Sequence, residues 1–150
     1  MDFDSAYKRA SALCTRQEYC CSDIKEKLFQ WDVEKETAKE VIYSLIKDKF
    51  IDENRYAGSY TRDKFKFNGW GKQKIIWNLR QKKIPEDIIQ NSMETIDSDE
   101  YEKKLLNTLQ EKSKKIKEND HAKKKAALIR FAASKGFEMK EIMLLVKKIK

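Results

Sequence analysis

Apolar and small residues recur along this chain at a fixed interval. Cys20, Ile24, Leu28, Val33, Ala38, Ile42 and Leu45 are followed 51 residues later by Gly71, Ile75, Leu79, Ile84, Ile89, Met93 and Ile96. Six of these positions return a further 53 residues on, as Leu128, Ala132, Phe137, Ile142, Val146 and Ile149. A period of this size falls near the range of helical repeat units, where one unit cannot bury its apolar face alone and stacks on the next. The pattern predicts an all-α protein of three tandem three-helix units, about nine helices in total, stacked into an elongated, curved array. The units span 1–51, 52–97 and 98–150, the last with a longer first helix. An array of this kind directs the search for function to a surface rather than a pocket.

Within the first unit, Ala6, Ala10, Leu13 and Cys14 form one helical stripe, and Ala38, Val41, Ile42, Leu45 and Ile46 form another. Between them lies a short helix with Ile24 and Leu28 inward, and Asp32 is placed to cap the helix that follows. Asp52 opens the second unit, its carboxylate positioned to accept backbone N–H groups of a new first turn. Asn68-Gly69-Trp70-Gly71 is the sharpest break, with glycines at 69 and 71 permitting backbone angles closed to other residues. A helix from Gly71 to about Lys83 follows, and Pro85 suits the first helical position of the next, where its missing N–H has no intrahelical partner. Asp97 and Asp120 start two helices of the third unit, Gly136 caps the end of one, and Lys147, Lys148 and Lys150 lie near the negative pole of the last.

Composition supports the helical reading: one proline and four glycines leave few breakers. The formal net charge is +8, of which residues 97–150 hold +6 and residues 1–96 hold +2. A basic balance suits anionic partners, whether nucleic acid, an acidic protein groove or a membrane surface. Cys14, Cys20 and Cys21 form no CxxC pair and read as reduced thiols of a cytosolic protein. No stretch has the 18 apolar residues of a membrane span, and Met1-Asp2-Phe3-Asp4 does not begin a signal peptide. The expected location is the cytoplasm.

Catalytic chemistry finds little support. His121 is the sole histidine and lies among lysines, without a visible triad partner. A zinc site would need Cys14, Cys20, Cys21 and His121 to converge without ligand spacing. No phosphate-cradling glycine loop is present, so no cofactor is expected and the chain is read as a non-enzyme. The basic residues are the functional candidates. Arg62, Lys64, Lys66, Lys72, Lys74, Arg80, Lys82 and Lys83 stud the second unit beside Trp70 and Trp77, and Lys123, Lys124, Lys125, Arg130 and Lys135 stud the third. Lysine and arginine at this density neutralise phosphates, and an exposed tryptophan stacks on a base or anchors a protein interface. The alternative for any one of them is a solvated lysine, or for Trp77 a core position.

One segment carries a family resemblance. Phe50-Ile51-Asp52-Glu53-Asn54-Arg55-Tyr56-Ala57, followed by Gly71, Ile75 and Leu79, resembles a stretch of the RecX family, bacterial regulators of the RecA recombinase. Arg16-Gln17-Glu18-Tyr19-Cys20 with Ile24 and Leu28 resembles that family's first-unit motif, and Arg130-Phe131 with Lys135-Gly136-Phe137 its last. Glu53 stands where the family has a second aspartate, Cys20 where it has a helix-starting serine, and Ala132 where it has leucine. Asp52, Arg55, Tyr56, Ala57 and Gly71 read as scaffold, Arg55 pairing with Asp52 or Glu53. The resemblance implies tandem three-helix units and a monomer that binds the RecA–DNA filament. It further implies inhibition of filament growth, strand exchange and ATP hydrolysis, damping recombination and the SOS response. DNA itself would be contacted weakly or within the filament. The alternative is a nonspecific or helix-turn-helix-like protein acting directly on DNA.

Overall fold

Helices form where the apolar stripes fall. The computed structural model describes residues 1–149, so the expectation at Lys150 lies outside the described residues. Among them are nine helices and no strand: α1 (Phe3–Cys14), α2 (Cys21–Gln30), α3 (Lys35–Lys47), α4 (Glu53–Lys66), α5 (Lys72–Gln81), α6 (Glu86–Glu94), α7 (Ser98–Lys115), α8 (His121–Ser134) and α9 (Met139–Val146). Of the residues in the sequence repeat, all are buried except Ala38 and Ile149, which are half-buried. The repeat is therefore a record of the core.

It is also a record of how helices end. Asp32, Lys83 and Gly136 stand 51 and 53 residues apart, and all three adopt left-handed backbone angles, with φ of 57°, 62° and 99°. Each follows the end of the second helix of its trio, where Asp32 N–H donates to Phe29 O, Lys83 to Arg80 and Gly136 to Ala133. The next residue donates to a carbonyl further back: Val33 to Leu28 at 3.0 Å, Ile84 to Leu79 at 3.2 Å and Phe137 to Ala132 at 3.2 Å. This is the Schellman arrangement, which satisfies otherwise orphaned helix carbonyls and sets an apolar pair across the cap. The repeated pairs Leu28/Val33, Leu79/Ile84 and Ala132/Phe137 are those apolar partners, and all six residues are buried.

Asp32 is thus a correction to the sequence reading. It terminates α2 in a left-handed turn, and the residue preceding α3 is Glu34, whose side chain makes no capping bond. Pro85 also differs by one position: its carbonyl accepts from Ile89 N–H at 3.0 Å, making it the cap residue before α6 rather than the first residue within it. The other caps fall as expected. Asp52 accepts from Arg55 N–H, Asp97 from Glu100 N–H and Asp120 from Lys123 N–H, each at 3.1 Å. At the start of α2, Cys20 N–H donates to the Asp23 carboxylate at 3.3 Å, so this turn keeps a side-chain acceptor although the family's serine is absent.

The chain divides into two compact units, Met1–Tyr60 with Leu79–Ile89, and Thr61–Asn78 with the chain from Gln90 onward. The segment 52–97 contributes to both, so this division and the sequence repeat are two different partitions of one chain. In the first unit α1, α2 and α3 enclose Ala6, Ala10, Ile24, Leu28, Val41, Ile42, Leu45 and Ile51. The two alanines, fully buried, let α1 approach its neighbours closely.

In the second unit α7, α8 and α9 pack together around Leu105, Leu109, Leu128, Phe137 and Ile142. The start of α5 joins this unit through the backbone. Gly71 N–H donates to Lys135 O at 2.8 Å, Gln73 N–H to Gly136 O at 3.0 Å and Lys72 N–H to the Tyr101 hydroxyl at 2.9 Å. Backbone donors at the start of α5, orphaned in an isolated helix, are thus satisfied by carbonyls of the turn that follows α8. Such an approach demands that both backbones be bare. A Cβ on Gly71 would enter the Gly136–Phe137 peptide, and one on Gly136 would strike Lys74. Gly69 has the positive φ (67°) expected of it, whereas Gly71 does not; its glycine is required by this close approach.

Candidate functional site

The residues of the most distinctive sequence segment hold the first unit together. From the first turn of α4, the Arg55 guanidinium grips Glu18 with Nε–Oε2 at 2.9 Å and Nη2–Oε1 at 3.2 Å. The same Nη2 reaches the carbonyls of Lys49 at 3.2 Å and Phe50 at 3.4 Å, while Asp52 lies 4.0 Å from Nη1. The Glu18 hydrogen bond raises the Arg55 pKa above its ordinary value. Glu18 is therefore the principal partner, where the sequence suggested Asp52 or Glu53. Glu53 instead accepts from Cys21 N–H at 3.2 Å, and burial raises its carboxyl pKa. Tyr56 and Ala57 are buried, Tyr56 stacking on Tyr60 at 5.9 Å. Burial also raises all three thiols, Cys21 to about 11, which keeps them protonated and poorly nucleophilic.

The predicted cations separate into two groups. In the first unit two of the three are tied down. Arg80 forms a two-pronged pair with Glu86 at 2.5 and 3.1 Å. Lys82 Nζ lies 2.6 Å from Asp23, whose side chain is only 17% exposed, and the Ser22 hydroxyl donates to the Lys82 carbonyl at 2.8 Å. The hydrogen bond with Asp23 raises the Lys82 pKa. Lys83 occupies the left-handed turn described above.

In the second unit several of the predicted cations lie over aromatic rings. Lys64 and Lys74 lie over Trp70 at 4.9 and 4.6 Å, and Lys72 over Tyr101 at 4.8 Å. Arg62, Lys123 and Arg130 are exposed, while Lys124 and Lys125 line a small hollow with His121 and Lys147. Trp77 is 60% exposed and not a core residue.

Two of the predicted residues, Lys66 and Lys135, converge on an open groove of about 860 Å³. Its walls come from the end of α4, the Phe67–Gly69 turn, one face of α7 and Phe131 of α8. Lys104, Lys112 and Lys115 join them, giving five ammonium groups against one lining carboxylate, Glu111, which itself lies 3.3 Å from Lys114. The lysines are oriented without being neutralised. Lys135 Nζ donates to Asn68 O at 2.8 Å, Lys104 to Lys66 O at 3.2 Å, and Lys112 sits 4.6 Å from the centre of the Phe131 ring. Phe67 is 83% exposed at the rim. Cations that retain their charge beside an exposed ring match a phosphodiester backbone with a base free to stack.

Sequence reasoning missed Lys104, Lys112, Lys115, Phe67 and Phe131. A signal was present: Lys104, Thr108, Glu111, Lys112 and Lys115 recur at i, i+4, i+7, i+8 and i+11, a single polar face of α7. It was obscured because lysines on both sides of that stripe, such as Lys103 and Lys114, carry the same charge.

Repeated three-helix segments, each closed by the same left-handed turn, define a helical repeat protein. Comparison with known proteins agrees on the fold. Residues 52–93 match the family model described as RecX, second three-helix domain. The chain is 33% identical over 129 residues to regulatory protein RecX of Clostridium tetani, covering 84% of this chain and 58% of that protein. It is 27% identical over 138 residues to regulatory protein RecX of Vibrio parahaemolyticus, covering 92% and 87%. The crystal structure of RecX from Lactobacillus salivarius shares the fold, with a TM-score of 0.88 at 20% identity over 99% of this chain and 96% of that one. The chain belongs to the RecX family. It spans little more than half the length of the clostridial relatives it matches. No helix among the described residues is long and apolar enough to cross a membrane.

Proposed function

We propose that this chain binds the RecA–DNA filament and limits its growth, strand exchange and ATP hydrolysis, damping recombination and the SOS response. The reading extends to a cytoplasmic monomer that acts by binding, without catalysis or cofactor, through three units at 1–51, 52–97 and 98–150. The observation that carries it is the groove of the second unit, which Lys66, Lys104, Lys112, Lys115 and Lys135 line with a single carboxylate. Family membership supplies the partner, and the groove supplies a surface with the chemistry to meet anionic groups of the filament or its DNA. Several modest contacts held in one folded chain raise effective concentration, so no single contact need be strong. The test is RecA-catalysed strand exchange and DNA-dependent ATP hydrolysis with this protein added substoichiometrically at low salt. Inhibition that fades as salt rises is expected; no inhibition and unchanged filament length would overturn the proposal. Charge reversal at Lys123, Lys124 and Lys125 is expected to weaken inhibition without unfolding the chain, and unchanged inhibition would remove those residues from the surface.

The exposed Phe67 beside the groove favours a second reading, direct and nonspecific binding of single-stranded nucleic acid. A mobility-shift titration across salt, with and without RecA, separates the two. Tight binding to naked DNA would favour the second.

A further inference from the structure

The first unit carries an open groove of different character, about 1270 Å³ between α2 and α3. Phe29, Val33, Ala38 and Ile42 line it, with Lys25, Lys35, Lys39 and Glu26 also among its lining residues. Phe29 is 81% exposed, and Ile46, one turn beyond Ile42 on α3, is 48% exposed. Single exposed apolar residues are ordinary, but a contiguous apolar groove marks a surface that another molecule covers.

The sequence repeat shows what is unusual here. Fifty-one residues after Phe29 and Lys35 stand Arg80 and Glu86, which close the corresponding helix end with a two-pronged ion pair. In the first copy a large apolar ring replaces the arginine and a lysine replaces the glutamate, so no such pair can form and the apolar groove stays open. The change substitutes exposed apolar area for a solvated charge pair, which the folded monomer alone does not explain.

We propose that this groove docks an amphipathic α-helix of a partner protein whose apolar stripe is flanked by carboxylates. The dimensions fit: α2 and α3, of 10 and 13 residues, extend roughly 15–20 Å, enough to seat three or four turns of a third helix. The charges fit as well. Three lysines and one glutamate line the groove, and the salt bridge from Lys39 to Glu36 is long, 3.5 Å, between exposed side chains. Carboxylates on the incoming helix are attracted to such a rim and ammonium groups are repelled, so the rim selects sign while the apolar floor supplies affinity. The proposal does not depend on the basic groove or on RecA.

The experiment is an NMR titration of the full chain with two synthetic amphipathic helices of about 15 residues. Both carry leucine at i, i+3, i+4, i+7 and i+8, one with glutamates flanking the stripe and the other with lysines. Amide shifts confined to α2, α3 and the turn between them are expected with the acidic peptide. Its affinity should exceed that of the basic peptide at least about fivefold, and Phe29→Ser should weaken it about tenfold. Phe29 is exposed, so this variant folds, which its unperturbed spectrum without peptide will verify. Absence of shifts with the acidic peptide at about 1 mM, a level far weaker than a functional contact, overturns the proposal. So does equal binding of the basic peptide, or insensitivity to Phe29→Ser. Sedimentation of the wild-type chain as a dimer that Phe29→Ser dissociates also overturns it, since the groove would then hold a second copy.

Discussion

The candidate cations of the two compact units differ in what holds them. In the first, the cations around the starts of α2 and α4 and the end of α5 pair with carboxylates: Arg55 with Glu18, Lys82 with Asp23, Arg80 with Glu86. In the second, the charges facing the groove are steered by carbonyls and rings, and remain available. The junctions of the second unit are also made differently, through the backbone. Gly71 and Gly136 bring the start of α5 into hydrogen bonding with the turn after α8, and the Tyr101 hydroxyl takes a third N–H while donating to Glu138. The lesson is that charge density alone does not locate a binding surface; what matters is which charges the fold has already engaged.

The largest expected effect tests the backbone lock. Gly71→Ala should destabilise the chain by about 2–4 kcal/mol, because its methyl must displace main chain and not a flexible side chain. Gly58→Ala, in α4 with open space at its Cβ, should instead be neutral or stabilise by up to about 1 kcal/mol. Urea unfolding of both variants checks the pair; equal effects would remove close approach as the reason for glycine at 71.

The next concerns available against engaged cations. Lys104→Glu with Lys112→Glu should lower affinity for single-stranded DNA at about 0.15 M salt by roughly tenfold or more. The salt dependence should also become shallower, by about one unit for each phosphate that is no longer neutralised. Lys82→Met should leave that dependence unchanged and instead cost about 0.5–1 kcal/mol of stability, a modest figure because the Lys82 side chain is 42% exposed. Fluorescence anisotropy across salt and urea titration separate the outcomes. If Lys82→Met weakens DNA binding as much as the groove variant does, the division between the units fails.

The smallest effect refines the repeated helix end. Lys83→Gly should stabilise the chain by about 0.5 kcal/mol, because glycine relieves the left-handed strain while adding some unfolded-state entropy. Gly136→Ala, at the corresponding place in the second unit, should be strongly destabilising, since Lys74 crowds that position. Thermal unfolding of the two variants is the measurement; a gain from Gly136→Ala would contradict the crowding.

How much of this was legible beforehand differs by residue. The interval of 51 and then 53 residues marked the core correctly, because burial needs only an apolar side chain at the right phase of a helix. Asp52, Asp97 and Asp120 were readable as caps, because a cap is made within about four residues of chain. Asp32 was misread for a related reason: aspartate suits both a helix start and a left-handed turn, and only the position of Val33 against Leu28 distinguishes them. Lys66 and Lys135 were named, but nothing local joined them to Lys104 or Phe131.

The sequence by itself determined the helices, the repeated caps and the apolar residues that each helix turns inward, since these follow from short-range periodicity and backbone chemistry. Only the tertiary structure decided which charges are free. An ion pair such as Lys82 with Asp23 joins residues 59 apart, and the groove assembles side chains from positions 66 to 135. Coulombic attraction depends on separation in space, and a lysine's sequence neighbours do not fix that distance.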